Sequence, residues 1–243
     1  QLFGVVVVTV AGDVITAGDV DYPFSIQSVS KPFTMAHLMS VEGYAAVQEK
    51  IGVEPTGMPF NSKIAIELIP ARSVNPLVNA GAIAAVSMVD ARSEKQRLEI
   101  VQKNLEAFAG EPLKILKDVY ESEYSTAFGN RAIANLLYNH GRLYAEPEES
   151  FWVYTKQCSF GINAKQLGVM GATLANGGVN PVTGKQVIQA EIVPKVLAVM
   201  LTAGFYDESG QWSAEVGLPS KTGVGGGIVS VVPGKMAIAA FSP

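Results

Sequence analysis

Ser28 and Lys31 stand three residues apart in the stretch Phe24-Ser25-Ile26-Gln27-Ser28-Val29-Ser30-Lys31-Pro32-Phe33, an interval that places two side chains on one helix face. A serine hydroxyl attacks an acyl carbon only when a neighbour takes its proton. A lysine one turn away can do so if burial keeps it neutral, because desolvation lowers a lysine pKa. The pair therefore suits acyl transfer through a covalent serine intermediate, although the spacing alone is common. A second element strengthens it. Lys221-Thr222-Gly223 runs into Val224-Gly225-Gly226-Gly227 and reads as a strand whose glycines let a substrate approach the backbone. Its N–H groups can then receive the charge of an oxyanion.

Other chemistries have little to work with. His37 and His140 are the only histidines, in unrelated contexts, and Cys158 is the only cysteine. A Ser-His-Asp triad would have to use one of those histidines, and a metal site would lack the usual His/Cys clustering. We therefore expect neither a metal nor an organic cofactor. A single cysteine cannot form an internal disulfide, which fits a reducing compartment, and Cys158 reads as a small buried apolar residue. Of the 243 residues, 48% are hydrophobic and 16% charged, below the roughly 25% charged that is usual, so the chain suits a well-buried globular protein. A net charge of −4 supports neither nucleic-acid nor membrane-surface partners. No apolar run reaches the ~20 residues of a membrane span. Val5-Val6-Val7-Val8 has no basic leader, so a signal peptide is not expected and a cytoplasmic location is. The chain opens partway into a strand, which predicts further residues upstream, and truncation at both ends is expected.

The elements that must position these residues follow from patterning. Leu2 to Val10 and Val14 to Thr16 read as strands of a hairpin about Ala11-Gly12-Asp13. A helix is expected from Ser28, with Pro32 tolerated in its first turn, fading by Gly43. Gly52 to Asn61 is loop, and Asn75 to Ile83 is a loop entering a small-residue helix that ends near Asp90. Leu98, Val101, Leu105 and Phe108 form a core-facing stripe on a surface helix. Asn130 to Tyr138, Pro147 to Cys158, Asn163 to Leu174 and Ile188 to Ala203 read as helices, with Ala175 to Gly184 a turn-rich loop. Strands return at Gly217 to Lys221, Ile228 to Val232 and Met236 to Phe241. With strands at both ends and helices between, the economical α+β packing is one antiparallel sheet of N- and C-terminal strands, helices against it, and an inserted helical region at about 40–165. The whole chain, 1–243, is expected to be a single catalytic domain.

S-x-x-K early and K-T-G late resemble the serine acylases of the β-lactamase and penicillin-binding type. A closer resemblance lies in four strings: FSIQSVSK from Phe24, NPLVNAGAI from Asn75, ATLANGGVNPVTG from Ala172 and GFYDESGQWSAEVGLPSKTGV from Gly204. They are similar to the serine-dependent glutaminase family, and the likeness runs from Phe3 to Phe241. It implies the β-lactamase/DD-peptidase-like fold, hydrolysis of L-glutamine to L-glutamate and ammonia, and a homodimer or homotetramer. Carried over by position, Ser28 matches the nucleophile and Lys31 its base. Asn79 matches a substrate-binding asparagine. Glu123 and Asn130 match the acidic and amide residues that hold the amino-acid head group. Tyr154 matches the tyrosine near the nucleophile, Tyr206 a second active-site tyrosine, and Val224 a backbone contact to the substrate carbonyl. The family usually has arginine just before the Asn130 position, whereas this chain has Gly129 there and Arg131 after it. The family also has a substrate-binding tyrosine ahead of the first strand, upstream of Gln1.

The residue types suit that substrate. Glu123 offers a carboxylate to an ammonium, while Asn79, Asn130 and tyrosine hydroxyls offer neutral donors to an α-carboxylate. Backbone N–H groups of Ser28 and Val224 can receive the oxyanion. Tyr154, coupled to Lys31, can pass the serine proton to the leaving nitrogen. Simpler readings stand beside these: Asn79 as a cap for a helix beginning at Ala80, Glu123 and Asn130 as surface and capping residues, the tyrosines as core aromatics, and Ser25, Ser30 and Lys221 as scaffold. Two other functions share the motifs. One is a β-lactamase or D,D-peptidase, against which no clear S-x-N lies between the motifs. The other is a non-catalytic glutamine or β-lactam sensor, against which stands the retention of both Ser28 and Lys31.

Overall fold

The computed structural model describes residues 2–69 and 72–243. Strands β1 (Gly4–Thr9) and β2 (Val14–Gly18) open the chain, and a short β3 (Phe24–Ser25) leads into a 3₁₀ turn at Gln27–Ser30 and helix α1 (Lys31–Val41). Then come α2 (Tyr44–Lys50), α3 (Ile64–Leu68), α4 (Asn79–Met88), α5 (Glu94–Ala109), β4 (Lys114–Ile115), α6 (Lys117–Thr126), α7 (Phe128–Asn139), α8 (Pro147–Cys158), β5 (Phe160–Ile162) and α9 (Ala164–Ala175). The chain closes with α10 (Val193–Ala203), a 3₁₀ turn at Tyr206–Glu208, α11 (Ser209–Glu215), β6 (Ser220–Thr222), β7 (Gly227–Val232) and β8 (Met236–Phe241).

The main sheet has the order β2-β1-β8-β7-β6, so N- and C-terminal strands are joined in one antiparallel sheet as expected. β1 is the seam: Val6 pairs with Thr16 on one side and Ala239 on the other. The period-2 side-chain alternation of a strand puts Val6 and Val8 on the buried face. There α9 crosses β1, β7 and β8. Gly168 and Gly171 let the helix lie close to the sheet, since a Cβ at either would press into Val8, or into Val229 and Ala237. β2 is an exposed edge.

Several elements depart from the patterning. Ser28 lies not in the first turn of an α-helix but in the 3₁₀ turn ahead of it, and the α-helix starts at Lys31 with Pro32 in its first turn. The expected helix from Ile188 begins at Val193, again with a proline in its opening turn. Asn163 is the cap of α9 rather than its first residue, in a reciprocal capping box with Gln166. α2, α3, α6, α11 and a small second sheet of order β3-β5-β4 are additional. In α5 the anticipated stripe holds: Val101, Leu105 and Phe108 are buried and Leu98 packs at the margin. No helix among the described residues is long and apolar enough to cross a membrane.

Candidate active site

Sheet and helices meet at the Gln27–Ser30 turn. Gln27 adopts φ +47°, the left-handed region that a residue with a Cβ enters only under constraint from its surroundings. The constraint is a buried chain of hydrogen bonds. Thr34 Oγ1 donates to Gln157 Oε1 (2.7 Å), Gln157 Nε2 to Ser30 Oγ (3.0 Å), and Ser30 Oγ to the Gln27 carbonyl (2.7 Å). The turn that carries Ser28 is thus tied to α1 and to α8.

Lys31 follows at the start of α1, 1% exposed. Its Nζ donates to Asn79 Oδ1 at 2.7 Å and lies 5.8 Å and 5.5 Å from the ring centres of Tyr154 and Tyr206. Burial lowers its pKa to about 7, with the nearby Cys158 acting weakly the other way.

Asn79 is the hub of the site. Val78, not Asn79, occupies the N-cap of α4, and the Asn79 side chain makes no cap bond. Its Oδ1 accepts from Lys31 and from the Tyr154 hydroxyl (3.2 Å), and its Nδ2 donates to Asn130 Oδ1 (2.9 Å). Its backbone N–H is held by the Phe60 carbonyl at 2.8 Å. The capping alternative is therefore set aside by geometry. Asn130 sits in the first turn of α7, capped by Ala127, and Glu123 in the last turn of α6, where Gln27 Nε2 donates to its Oε1 at 3.3 Å.

Tyr154 is buried, and burial holds its hydroxyl well above the usual phenol pKa. Burial likewise raises Tyr206 to about 12, with the Ser28 hydroxyl beside it acting in the opposite sense, and raises Cys158 to about 11. Both tyrosines therefore keep their hydroxyl protons near pH 7. Tyr206 has φ +59°, and its ring packs on Phe60 at 5.0 Å. Lys221 lies beneath that ring, 3.9 Å from its centre. Its Nζ donates to the carbonyls of Gly204 (2.9 Å) and Thr222 (2.7 Å). Fully buried and repelled by Lys31, it has a pKa well below the ordinary lysine value. The lysine of K-T-G thus supports Tyr206 from below. Gly223 and Gly225 let the strand end press on the turn that carries Ser28, since a Cβ at Gly223 would meet Val29 and one at Gly225 would overlap the Ser25 carbonyl.

A cavity of about 170 Å³ gathers Ser28, Asn79, Glu123, Asn130, Tyr154, Tyr206 and Val224. Lys31, the remaining residue singled out in the sequence, is bonded to Asn79 beside it. The cavity wall also includes Gln27, Phe60, Thr155 and Cys158. Helical spacing from Tyr154 could have found Cys158, one turn on; nothing in the sequence around Thr155 or Phe60 marks either. A larger hollow of about 630 Å³, lined by Lys50, Arg72, His140 and Arg142 among others, includes no serine or cysteine.

Comparison with known proteins gives a consistent picture. The family model described as Glutaminase matches residues 1–243. The glutaminase of Colwellia psychrerythraea (strain 34H / ATCC BAA-681) is 52% identical over 241 residues, covering 99% of this chain and 78% of that protein. Glutaminase 1 of Shigella flexneri is 51% identical over 243 residues, covering 100% and 78%. A solved structure described as a probable glutaminase aligns with a TM-score of 0.98 at 51% identity, across 100% of this chain and 79% of that one. A Bacillus glutaminase solved in 4.3 M NaCl aligns at 0.96 with 35% identity, across 100% and 83%. The chain belongs to the glutaminase family.

Proposed function

We propose that this glutaminase-family chain hydrolyses L-glutamine to L-glutamate and ammonia through an acyl-enzyme on Ser28, with Lys31 as base. The observation that carries the reading is one small cavity with a serine, a carboxylate, amides and two tyrosines on its wall, beside a buried lysine whose pKa is about 7. Close to neutral pH a substantial fraction of Lys31 is uncharged and able to take a proton.

Glutamine enters with its ammonium toward Glu123 and its α-carboxylate toward the amide of Asn130, whose Oδ1 is already engaged by Asn79. Ser28 Oγ attacks the side-chain amide carbon, its proton passing to Lys31, and the carbonyl oxygen gains the charge. Backbone N–H groups of Ser28 and Val224 receive that oxyanion; a single such donor contributes about 3–4 kcal/mol to the transition state. Tyr154, whose hydroxyl shares Asn79 Oδ1 with Lys31, gives its proton to the leaving nitrogen and takes the one Lys31 holds, and ammonia departs as the C–N bond breaks. Water then attacks the Ser28 ester, releases glutamate and returns the proton to Ser28. A homodimer or homotetramer is part of the same reading and rests on the family resemblance.

Ammonia release from glutamine, asparagine and a chromogenic β-lactam tests it. Ser28→Ala should abolish glutamine turnover while still binding glutamate. Turnover persisting in Ser28→Ala would sink the mechanism, and hydrolysis of the β-lactam alone would sink the substrate.

A further inference from the structure

Arg131 is not on the cavity wall, yet it joins the three helices that furnish Glu123, Asn130 and Tyr154. Its Nη1 donates to the Tyr124 carbonyl at 2.9 Å, on α6. Its Nε and Nη2 donate to Glu148 Oε2 and Oε1, both at 3.3 Å, on α8. The Tyr124 hydroxyl closes the loop by donating to Glu148 Oε1 at 2.7 Å. The guanidinium also lies 4.6 Å from the ring centre of Tyr124 and 4.2 Å from that of Phe151, and these two rings stack on each other at 5.4 Å.

The partners are the immediate neighbours of cavity residues. Glu123 precedes Tyr124, Asn130 precedes Arg131 itself, and Tyr154 lies one turn after Phe151. The clamp matters most for α6. That helix buries none of its residues completely, and only Tyr124 of it packs at the margin of the core, so its apolar anchorage is slight. It is separated from α7 by Ala127 alone, which is not helical. Lys156 over the Tyr120 ring adds a second tie to α8, but among the described residues' side-chain hydrogen bonds it is Arg131 that reaches from α7 to both α6 and α8. An isolated surface ion pair holds little. A planar fork that takes a carboxylate with two nitrogens, a carbonyl with a third contact, and two ring faces fixes an orientation that a flexible ammonium cannot.

We propose that Arg131 is a positioning residue for the amino-acid head group of the substrate: it locks α6 against α7 and α8 and so fixes the Glu123 carboxylate relative to Asn130. The inference rests on the head-group role proposed for Glu123. It predicts a loss confined to recognition, because Ser28 and Lys31 stand on other elements and Tyr154, though on α8, is buried in a helix that packs on α4, α5 and α7 without the clamp. Arg131→Met, which keeps the stem and removes the fork, raises KM for glutamine roughly fivefold with kcat within about twofold, the size expected when one member of a contacting pair is lost. Arg131→Lys restores the charge but not the fork and leaves KM raised.

The experiment is steady-state kinetics on Arg131→Met, Arg131→Lys, Glu123→Gln and the double variant Arg131→Met/Glu123→Gln, each with a thermal melt. Acting through Glu123, Arg131→Met adds little once Glu123 is already glutamine, and that non-additivity supports the proposal. Three results overturn it: full additivity, a fall in kcat at unchanged KM, or full rescue by lysine. A raised KM in Glu123→Gln beside an unchanged KM in Arg131→Met refutes this inference alone. Unchanged kinetics in Glu123→Gln refute the head-group reading and this inference with it. Should the Arg131 variants fail to fold, Glu148→Gln, which takes the charge from the clamp and leaves an acceptor, carries the same cycle and the same outcomes.

Discussion

Lys31 gives the sharpest quantitative test, because the proposed base should also be a source of instability. Its pKa falls from the ordinary 10.5 to about 7 through burial. At about 1.4 kcal/mol per pH unit, that gap corresponds to about 5 kcal/mol. The sign follows from proton counts. Between pH 7 and 10.5 the unfolded chain keeps the lysine proton and the folded chain does not, so stability rises with pH across that window. Below pH 7 the deficit is complete; from linkage it is about 4 kcal/mol at pH 7 and about 2 kcal/mol at pH 9. Lys31→Met removes this deficit and nearly preserves the side-chain length. It also loses the buried bond to Asn79, worth about 1–3 kcal/mol, although Tyr154 still donates to the same oxygen. The net at pH 7 is a gain of about 1–3 kcal/mol, at about 2–4 °C per kcal/mol for a chain of this size. Relief of the repulsion on Lys221 acts in the same direction. Lys31→Met should therefore melt several degrees above the parent at pH 6–7, lose that advantage by pH 9, and release no ammonia. In the parent, kcat/KM should decline as pH falls below about 7 and Lys31 is protonated. A melting point that drops at pH 7, or a difference between the two proteins that does not shrink from pH 7 to 9, would refute the account of why this lysine is a base.

Two further changes probe how the site is held. Gln157→Leu strands the Thr34 hydroxyl and withdraws the donor from Ser30, so the fold should lose about 1–3 kcal/mol. The loosened turn should lower kcat with little change in KM for glutamine; kinetics and melting that match the parent would show that the Gln27 backbone does not depend on this chain. Gly81→Ala places a methyl group onto the Asn75 carbonyl beneath the start of α4. Overpacking of that kind typically costs about 1–3 kcal/mol, so a urea unfolding curve should shift to lower concentration, and an unshifted midpoint would contradict the packing described.

The parts legible in the sequence are those decided by short-range rules. The β-branched runs at either end had few alternatives to strands, and Pro147 to Cys158 coincides with α8 because a proline opens it and a core stripe runs through it. The elements that escaped the patterning lacked such signals. α6 buries none of its residues and so shows no apolar stripe. Strands of two or three residues, as in β3-β5-β4, are too short to display alternation. Asn79 was ambiguous for a different reason: a helix-start asparagine can cap its own backbone or reach away from it. The choice is set by Lys31, Asn130 and Tyr154, which lie 48, 51 and 75 residues distant.

The same logic explains why the candidate active site is where local rules break. Gln27 and Tyr206 carry positive φ without being glycine, and both line the cavity that holds Ser28. Lys31 and Lys221 are cationic residue types buried almost completely, where a charge is disfavoured. Each feature costs stability and needs a compensating partner. The Ser30–Gln157–Thr34 chain holds Gln27, Phe60 and Lys221 bracket the Tyr206 ring, and two backbone carbonyls take the Lys221 hydrogens. Lys31 alone is only partly compensated, by the neutral oxygen of Asn79. A carboxylate in that place would hold it protonated and end its use as a base. The amide at Asn79 is therefore as necessary to the proposed chemistry as the lysine: Asn79→Asp should hold Lys31 charged to higher pH, at the cost of the donor to Asn130, and move the acid limb of the kcat/KM profile to higher pH; a limb that stays near pH 7 would contradict this.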